Sequence, residues 1–193
     1  MRKTLQFILL AGILIGLPLF AWYYLTKGTQ MRKDAMADLQ PKGLIGNFQS
    51  VASNDSVFFS DSFKGSKWLI AVIGADSSRA GHVEVLKALY KQAREEFTPK
   101  VFALVGLYSG ELFPDMNALF KFPEDGFWTT SYMAANHVYV FAQDAFEIPE
   151  SLKNKDVLIL LDEQGQVRNY YLLEDPAQVK LMVRQVPVFL SLK

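Results

Sequence analysis

The chain contains no cysteine and only two histidines in 193 residues, and this shortage excludes several functions before any pattern is considered. Without thiols there is no disulfide framework, no zinc ribbon, no thiol nucleophile, no dithiol redox exchange and no thiolate copper site. A surplus of either charge is also missing, since 20 Lys and Arg stand against 20 Asp and Glu. The balance is uneven along the chain. Residues 1–42 hold Arg2, Lys3, Lys27, Arg32, Lys33 and Lys42 against Asp34 and Asp38, which leaves 14 basic and 18 acidic residues in 43–193. A mildly acidic globular part lacks the clustered basic face that nucleic acid requires, so nucleic acid is not an expected partner. The sequence shows neither repeats nor low-complexity segments.

What is present begins with a long apolar run. Between Lys3 and Lys27 the chain carries no charge and one amide, Gln6, and Trp22, Tyr23 and Tyr24 stand at its far end. About 20 apolar residues cross a hydrocarbon core of about 30 Å, and amphipathic rings favour the headgroup layer. Residues 5–25 are therefore expected to form a transmembrane helix, after a short segment 1–4. A cleaved signal peptide would have an apolar region of only about 7–15 residues ending in small side chains, and a lipoprotein anchor would need a cysteine acceptor. Orientation does not follow from charge, because Arg2 and Lys3 nearly balance Lys27, Arg32 and Lys33. Residues 26–42 are polar and helix-compatible and end in Pro41-Lys42-Gly43, which reads as a tether and a stop.

Residues 43–193 alternate between periods. Phe48 and Val51, then Val57, Phe58 and Phe59, flank Ser53-Asn54-Asp55-Ser56 and predict a hairpin. Lys67 to Gly74 is a continuous apolar run suited to a strand buried on both faces. Leu86, Leu89, Tyr90, Ala93 and Phe97 then mark one face of a helix that ends before Pro99, and Val101 to Leu107 is a second buried strand. Strand, helix and strand make a right-handed crossover with a parallel pair. Residues 109–150 predict a helix near Pro114–Phe120, an aromatic segment (Phe122, Phe127, Trp128) and a short strand at Val138–Phe141. Val157–Leu161 and Val167–Leu172 predict a second hairpin around Asp162-Glu163-Gln164-Gly165. Asp175 is placed to cap a last helix that begins at Pro176, with a break expected at Pro187. This order is a thioredoxin-like α/β arrangement, a central mixed β-sheet flanked by helices.

In such sheets the reactive position is the loop after the first parallel strand, at the N-terminus of the next helix, where N–H groups and the helix dipole favour negative charge. Here the loop reads Gly74-Ala75-Asp76-Ser77-Ser78-Arg79-Ala80-Gly81-His82. Around it lie Ile45-Gly46-Asn47-Phe48, then Phe59-Ser60-Asp61-Ser62-Phe63-Lys64-Gly65-Ser66-Lys67-Trp68-Leu69-Ile70, then Ile73-Gly74. Further on comes Leu158-Ile159-Leu160-Leu161-Asp162-Glu163-Gln164-Gly165-Gln166-Val167. With the N-terminal apolar run, these stretches resemble the membrane-anchored Sco/SenC copper-chaperone family and its thioredoxin-like relatives of the bacterial periplasm. The resemblance implies an amino terminus in the cytoplasm and a domain outside the inner membrane. It also implies a membrane protein partner such as a respiratory complex, in cytochrome oxidase assembly.

The family's functional residues do not carry over. Its copper site uses a C-x-x-x-C motif in this loop and a histidine before the second hairpin. Alignment on Ile73-Gly74 puts Ser78 and His82 at the two cysteine positions, while the histidine position falls within two residues of Asn154, where Lys155 and Asp156 offer no imidazole. The cis-proline of ordinary thioredoxins has no counterpart directly before the second hairpin, since Pro149 lies too far upstream. No catalytic residue and no cofactor are expected, copper being the one the resemblance leaves open.

Other readings of the loop compete. Asp76, Ser78, His82 and Glu84 could give a metal oxygen and nitrogen donors, against ordinary helix capping with His82 and Glu84 solvated. Ser77, Ser78, Arg79 and the helix N-terminus could receive a small anion. A Ser78–His82 nucleophile pair oriented by Asp76 would need an approach that adjacent turns of one helix seldom allow, and no G-x-S-x-G elbow is present. His137 reads as an ordinary surface histidine, and Met31 and Met36 are the only close methionine pair on the tether. Phe127, Trp128 and Tyr132, in an aromatic segment denser than a small core needs, are a candidate partner surface. The expected function is a non-catalytic binding or scaffold factor, and the alternative is a metal-handling protein with a non-thiolate site built on His82, Asp76, Met31 and Met36.

Overall fold

Apolar strands with alternate residues committed to opposite faces organise the domain. The structure, a computed structural model, describes residues 2–52 and 57–192, without the side chains of residues 2–9, 11, 113 and 114. Its contacts divide the chain into two units, Met1–Asp38 and Leu39–Lys193. The first is a single helix, α1 (Arg2–Asp38), with Pro18 inside it. Large apolar side chains from Leu10 to Leu25 are exposed along it. No helix among the described residues is long and apolar enough to cross a membrane, and most side chains in the first third of the run 5–25 fall outside that description.

The second unit begins earlier than residue 43. Leu39 is already in the core, and the Lys42 backbone N–H donates to the Val167 carbonyl at 2.8 Å. The strands are β1 (Gly43–Leu44), β2 (Gln49–Val51), β3 (Val57–Phe59), β4 (Trp68–Ile73), β5 (Lys100–Leu107), β6 (Trp128–Ala134), β7 (Val157–Leu161) and β8 (Gln166–Leu172). The helices are α2 (Arg79–Arg94), α3 (Phe113–Phe120), α4 (Ala135–Phe146) and α5 (Pro176–Ser191). Six strands form one sheet in the order β1-β8-β7-β4-β5-β6, and β2 pairs with β3 separately. Strands β4, β5 and β6 are parallel, while β7 and β8 run antiparallel to their neighbours. This is the expected thioredoxin-like arrangement, with both hairpins and the crossover in place. The turn at 53–56 lies outside the described residues.

The period of two sorts the core. Leu69, Ala71, Ile73, Val101, Ala103, Val105, Leu158 and Leu160 face a layer containing α2, α3 and α5. Trp68, Ile70, Val72, Phe102, Leu104, Val157, Ile159 and Leu161 face α4 and Phe63 on the other side. Because β4 and β7 are buried on both faces, they read as unbroken apolar runs.

Two expectations fail. Val138–Phe141 is helix, part of α4, and the strand is the preceding Trp128–Ala134. Val138, Ala142, Ala145 and Phe146 are buried at helical spacing, and this face decides against a four-residue apolar run taken alone. The second concerns Pro187, where α5 does not break. Proline inside a helix costs about 3 kcal/mol, whereas Met182, Val186 and Phe189, all fully buried, contribute about 1.5–3 kcal/mol each. Burial wins. The cap at Asp175 is present, its carboxylate accepting from the Ala177 N–H at 2.8 Å.

Candidate functional site

The parallel strands end together, and their following loops meet. Ile73 lies opposite Val105, and Gly106 opposite Met133, so the loops after β4 and β5 and the start of α4 share one end of the sheet. Gly106 permits close approach, since a Cβ there would stand 2.8 Å from the Ala75 nitrogen.

Within the first loop, Asp76 closes a turn just before α2, whose N-cap, Ser78, makes no side-chain capping bond. Asp76 Oδ1 accepts from the Ser78 N–H at 2.8 Å and from the Ser78 hydroxyl at 2.6 Å. The hydroxyl bond, ahead of the others, holds the Asp76 carboxyl below the usual range. Arg79, expected as an anion ligand, turns away and is buried. Its guanidinium donates to Glu111 at 2.7 and 2.6 Å and to the Gly106 carbonyl at 2.8 Å. The hydrogen bonds with Glu111 raise the Arg79 pKa and lower that of Glu111. Tyr108 and Phe120 present their rings to the same cation at 5.3 and 5.6 Å. Ser77 is exposed, and Glu84 pairs with Lys87 at 2.8 Å on the outer face of α2.

His82 departs from its expected solvated position. Its side chain is only 10% exposed, and Nδ1 lies 2.6 Å from Oδ2 of Asp156, which is 0% exposed. The imidazole N–H therefore donates to a buried carboxylate. Asp156 Oδ1 accepts twice more, from the Gly74 N–H at 2.6 Å and from the Tyr139 hydroxyl at 2.8 Å. Burial first, and then this bond, push the Tyr139 phenol well above its ordinary pKa. Gly74 makes room for the phenol, because a Cβ there would collide with it.

Ser78 Oγ stands 3.4 Å from the same imidazole nitrogen. A Ser-His-Asp relay uses the two ring nitrogens separately, one toward the carboxylate and one toward the serine. Here Nδ1 serves Asp156 and the Ser78 proton goes to Asp76, so no base activates the hydroxyl. Among the described residues none is hydrogen-bonded to Nε2. No buried side-chain nitrogen or oxygen among the described residues lacks a partner, so Nε2 is in contact with solvent. No group of three or more His, Asp or Glu among the described residues could hold a metal ion. Met31 and Met36 lie on α1.

Asp156 and Tyr139 are the residues that sequence reasoning passed over. The available signal was a lone carboxylate directly before the apolar run Val157–Leu161, which has to find donors when buried. Of the candidate partner surface, Trp128 and Tyr132 are in the core. Trp128 donates to Thr130 Oγ1 at 2.9 Å and stacks on Phe122, and Tyr132 donates to Asn117 at 2.6 Å. Phe127 is half-buried beneath Arg94, 4.3 Å from its ring. His137 is exposed and lines an apolar groove of about 450 Å³ with Met133, Val140 and Phe141.

Fold and loop together define a thioredoxin-like domain whose loop after β4 carries no thiol. No protein-family model and no curated protein matches the sequence. Among solved structures the chain is similar to BsSco, a member of the Sco family of cytochrome c oxidase assembly proteins. The two share 15% identity over 80% of this chain and 98% of that one, with a TM-score of 0.62. It is also similar to a SCO1/SenC family lipoprotein from Bacillus anthracis str. Ames (18% identity, 77% and 96% covered, TM-score 0.56). Yeast Sco1 with copper bound matches at 11% identity, 77% and 95% covered, with a TM-score of 0.54. Thiol-disulfide oxidoreductases share the fold as well.

Proposed function

We propose that this chain is a membrane-anchored, non-catalytic thioredoxin-like protein of Sco type that binds or scaffolds a membrane protein partner, in cytochrome oxidase assembly. The observation that carries this reading is the state of the loop. The Ser78 hydroxyl is committed to Asp76 and the His82 imidazole N–H to Asp156, and these are the two residues that alignment of the sequence on Ile73-Gly74 pairs with the cysteines of the Sco motif. A domain that keeps the scaffold without a nucleophile acts through what it touches. The Sco neighbours support the class of partner, and the uncharged run between Lys3 and Lys27, with its terminal aromatics, supports anchoring in the inner membrane with the domain outside.

Two measurements test it. An alkaline phosphatase fused after Lys193 is active if the domain is extracytoplasmic, and an inactive fusion beside an active cytoplasmic reporter sinks the topology. Crosslinking in membranes followed by pull-down recovers a respiratory membrane protein, and recovery of soluble proteins alone overturns the scaffold reading.

A further inference from the structure

We infer that the junction around Asp156 is a structural cross-link between the two faces of the sheet, and that the groups engaged in it leave no soft chelating donor set for Cu(I).

The cross-link follows from where the three donors come from. His82 belongs to α2, whose buried side chains pack on one face of the sheet, and Tyr139 belongs to α4, which packs on the other. Gly74 directly follows β4, the strand between them. One carboxylate at the entrance to β7 accepts from all three at 2.6–2.8 Å. A fully buried carboxylate is tolerated only when paired and saturated with donors, and here the donors are positions on separate elements. Loss of Asp156 therefore releases helices on both sides of the sheet at once.

The donor accounting excludes a soft chelate. Cu(I) selects thiolate and thioether sulfur, and no sulfur ligand is among the groups that meet at this loop. Both oxygens of Asp156 and Nδ1 of His82 are engaged, and Ser78 gives its proton to Asp76. Nε2 of His82 and the exposed Oδ2 of Asp76 remain, one imidazole and one hard carboxylate oxygen, which is not the soft donor set that Cu(I) selects.

The test uses the full-length chain in detergent. Cu(I) is titrated against the chromophoric chelator bicinchoninate, and thermal unfolding is followed for His82→Gln, Tyr139→Phe and Asp156→Asn. The chain is expected to leave the Cu(I)–bicinchoninate complex intact. Each single-arm variant, His82→Gln or Tyr139→Phe, is expected to lower Tm by about 3–10 °C, the loss of one hydrogen bond to a charged group in a domain of this size. In the Asp156→Asn background the same two changes should cost less than half as much, since the shared acceptor is gone. If Asp156→Asn does not fold, the double variant His82→Gln/Tyr139→Phe replaces it, with a Tm loss that departs from the sum of the singles. Stoichiometric withdrawal of Cu(I) from bicinchoninate overturns the donor accounting. Single variants that leave Tm within about 1 °C of wild type, or that add without coupling, overturn the cross-link.

Discussion

Replacing Arg79 with methionine removes a guanidinium that three acceptor contacts and two aromatic rings hold in place, and it leaves the Glu111 carboxylate without its partner. The side chains are 10% and 21% exposed. Breaking a fully buried pair costs about 3–5 kcal/mol, and the residual hydration of Glu111 argues for about 2–4 kcal/mol here. In a domain of this size that is a fall in Tm of about 4–16 °C. The pH dependence has a definite sign. The folded-state pKa of Glu111 is depressed from its ordinary 4.5, so the pair's contribution is complete above that value and is lost as pH falls below it. Differential scanning calorimetry at pH 7 and pH 3 should therefore separate wild type from Arg79→Met more widely at the first than at the second. Equal Tm values at pH 7 would refute the reasoning. So would stabilisation of the wild type by millimolar phosphate that Arg79→Met abolishes, since that would make Arg79 an anion ligand rather than a cross-brace.

Further consequences concern single positions. Gly74→Ala places a methyl group against the Tyr139 hydroxyl and should cost about 1–3 kcal/mol in a denaturant titration, the usual range for overpacking. Pro187→Ala restores a missing backbone donor within α5 and should raise stability by about 1–3 kcal/mol in the same assay. Val138→Asp, at a fully buried position of α4, should abolish cooperative unfolding, whereas Val140→Asp, at a position 59% exposed, should change stability by less than about 1 kcal/mol. If position 140 proves the intolerant one, the helix assignment is wrong. The double variant Ser78→Cys/His82→Cys, with the spacing of the family's cysteines, should bind Cu(I) in competition with bicinchoninate, and failure to do so would indicate that the loop no longer has the geometry of a thiol site.

The parts of this fold that the sequence made legible are those where one physical signal dominates. Strands β4, β5 and β7 are unbroken apolar runs because both their faces are covered, and α2 and α5 carry one apolar stripe each with a recognisable start. The misreading fell between 120 and 146, where aromatics, threonine and alanine mix. In Trp128–Ala134 the strand pattern is obscured because Thr130 and Ser131 are buried polar residues, and Ser131 reaches across to Ser50 at 2.7 Å and to the Val51 carbonyl at 2.7 Å. A pattern reader treats such residues as solvent-facing. For the loop, sequence singles out Ser78 and His82 but not what His82 bonds to, since that depends on Asp156, 74 positions beyond it. Local sequence identifies a carboxylate beside an apolar run, and only the assembled sheet shows which helices supply its donors.

The central claim is that the loop after β4 has no chemistry and that the domain works by contact. Ser78→Ala removes the loop hydroxyl 3.4 Å from His82 and its exposed contact with Asp76, and should leave the fold intact. The most direct measurement is the yield of crosslinked membrane partner recovered from cells expressing wild type or Ser78→Ala at equal levels. The account predicts equal yields of the same partner. A loss of more than about tenfold, equivalent to about 1.4 kcal/mol of binding, with unchanged Tm, would contradict it and return the loop to a functional role.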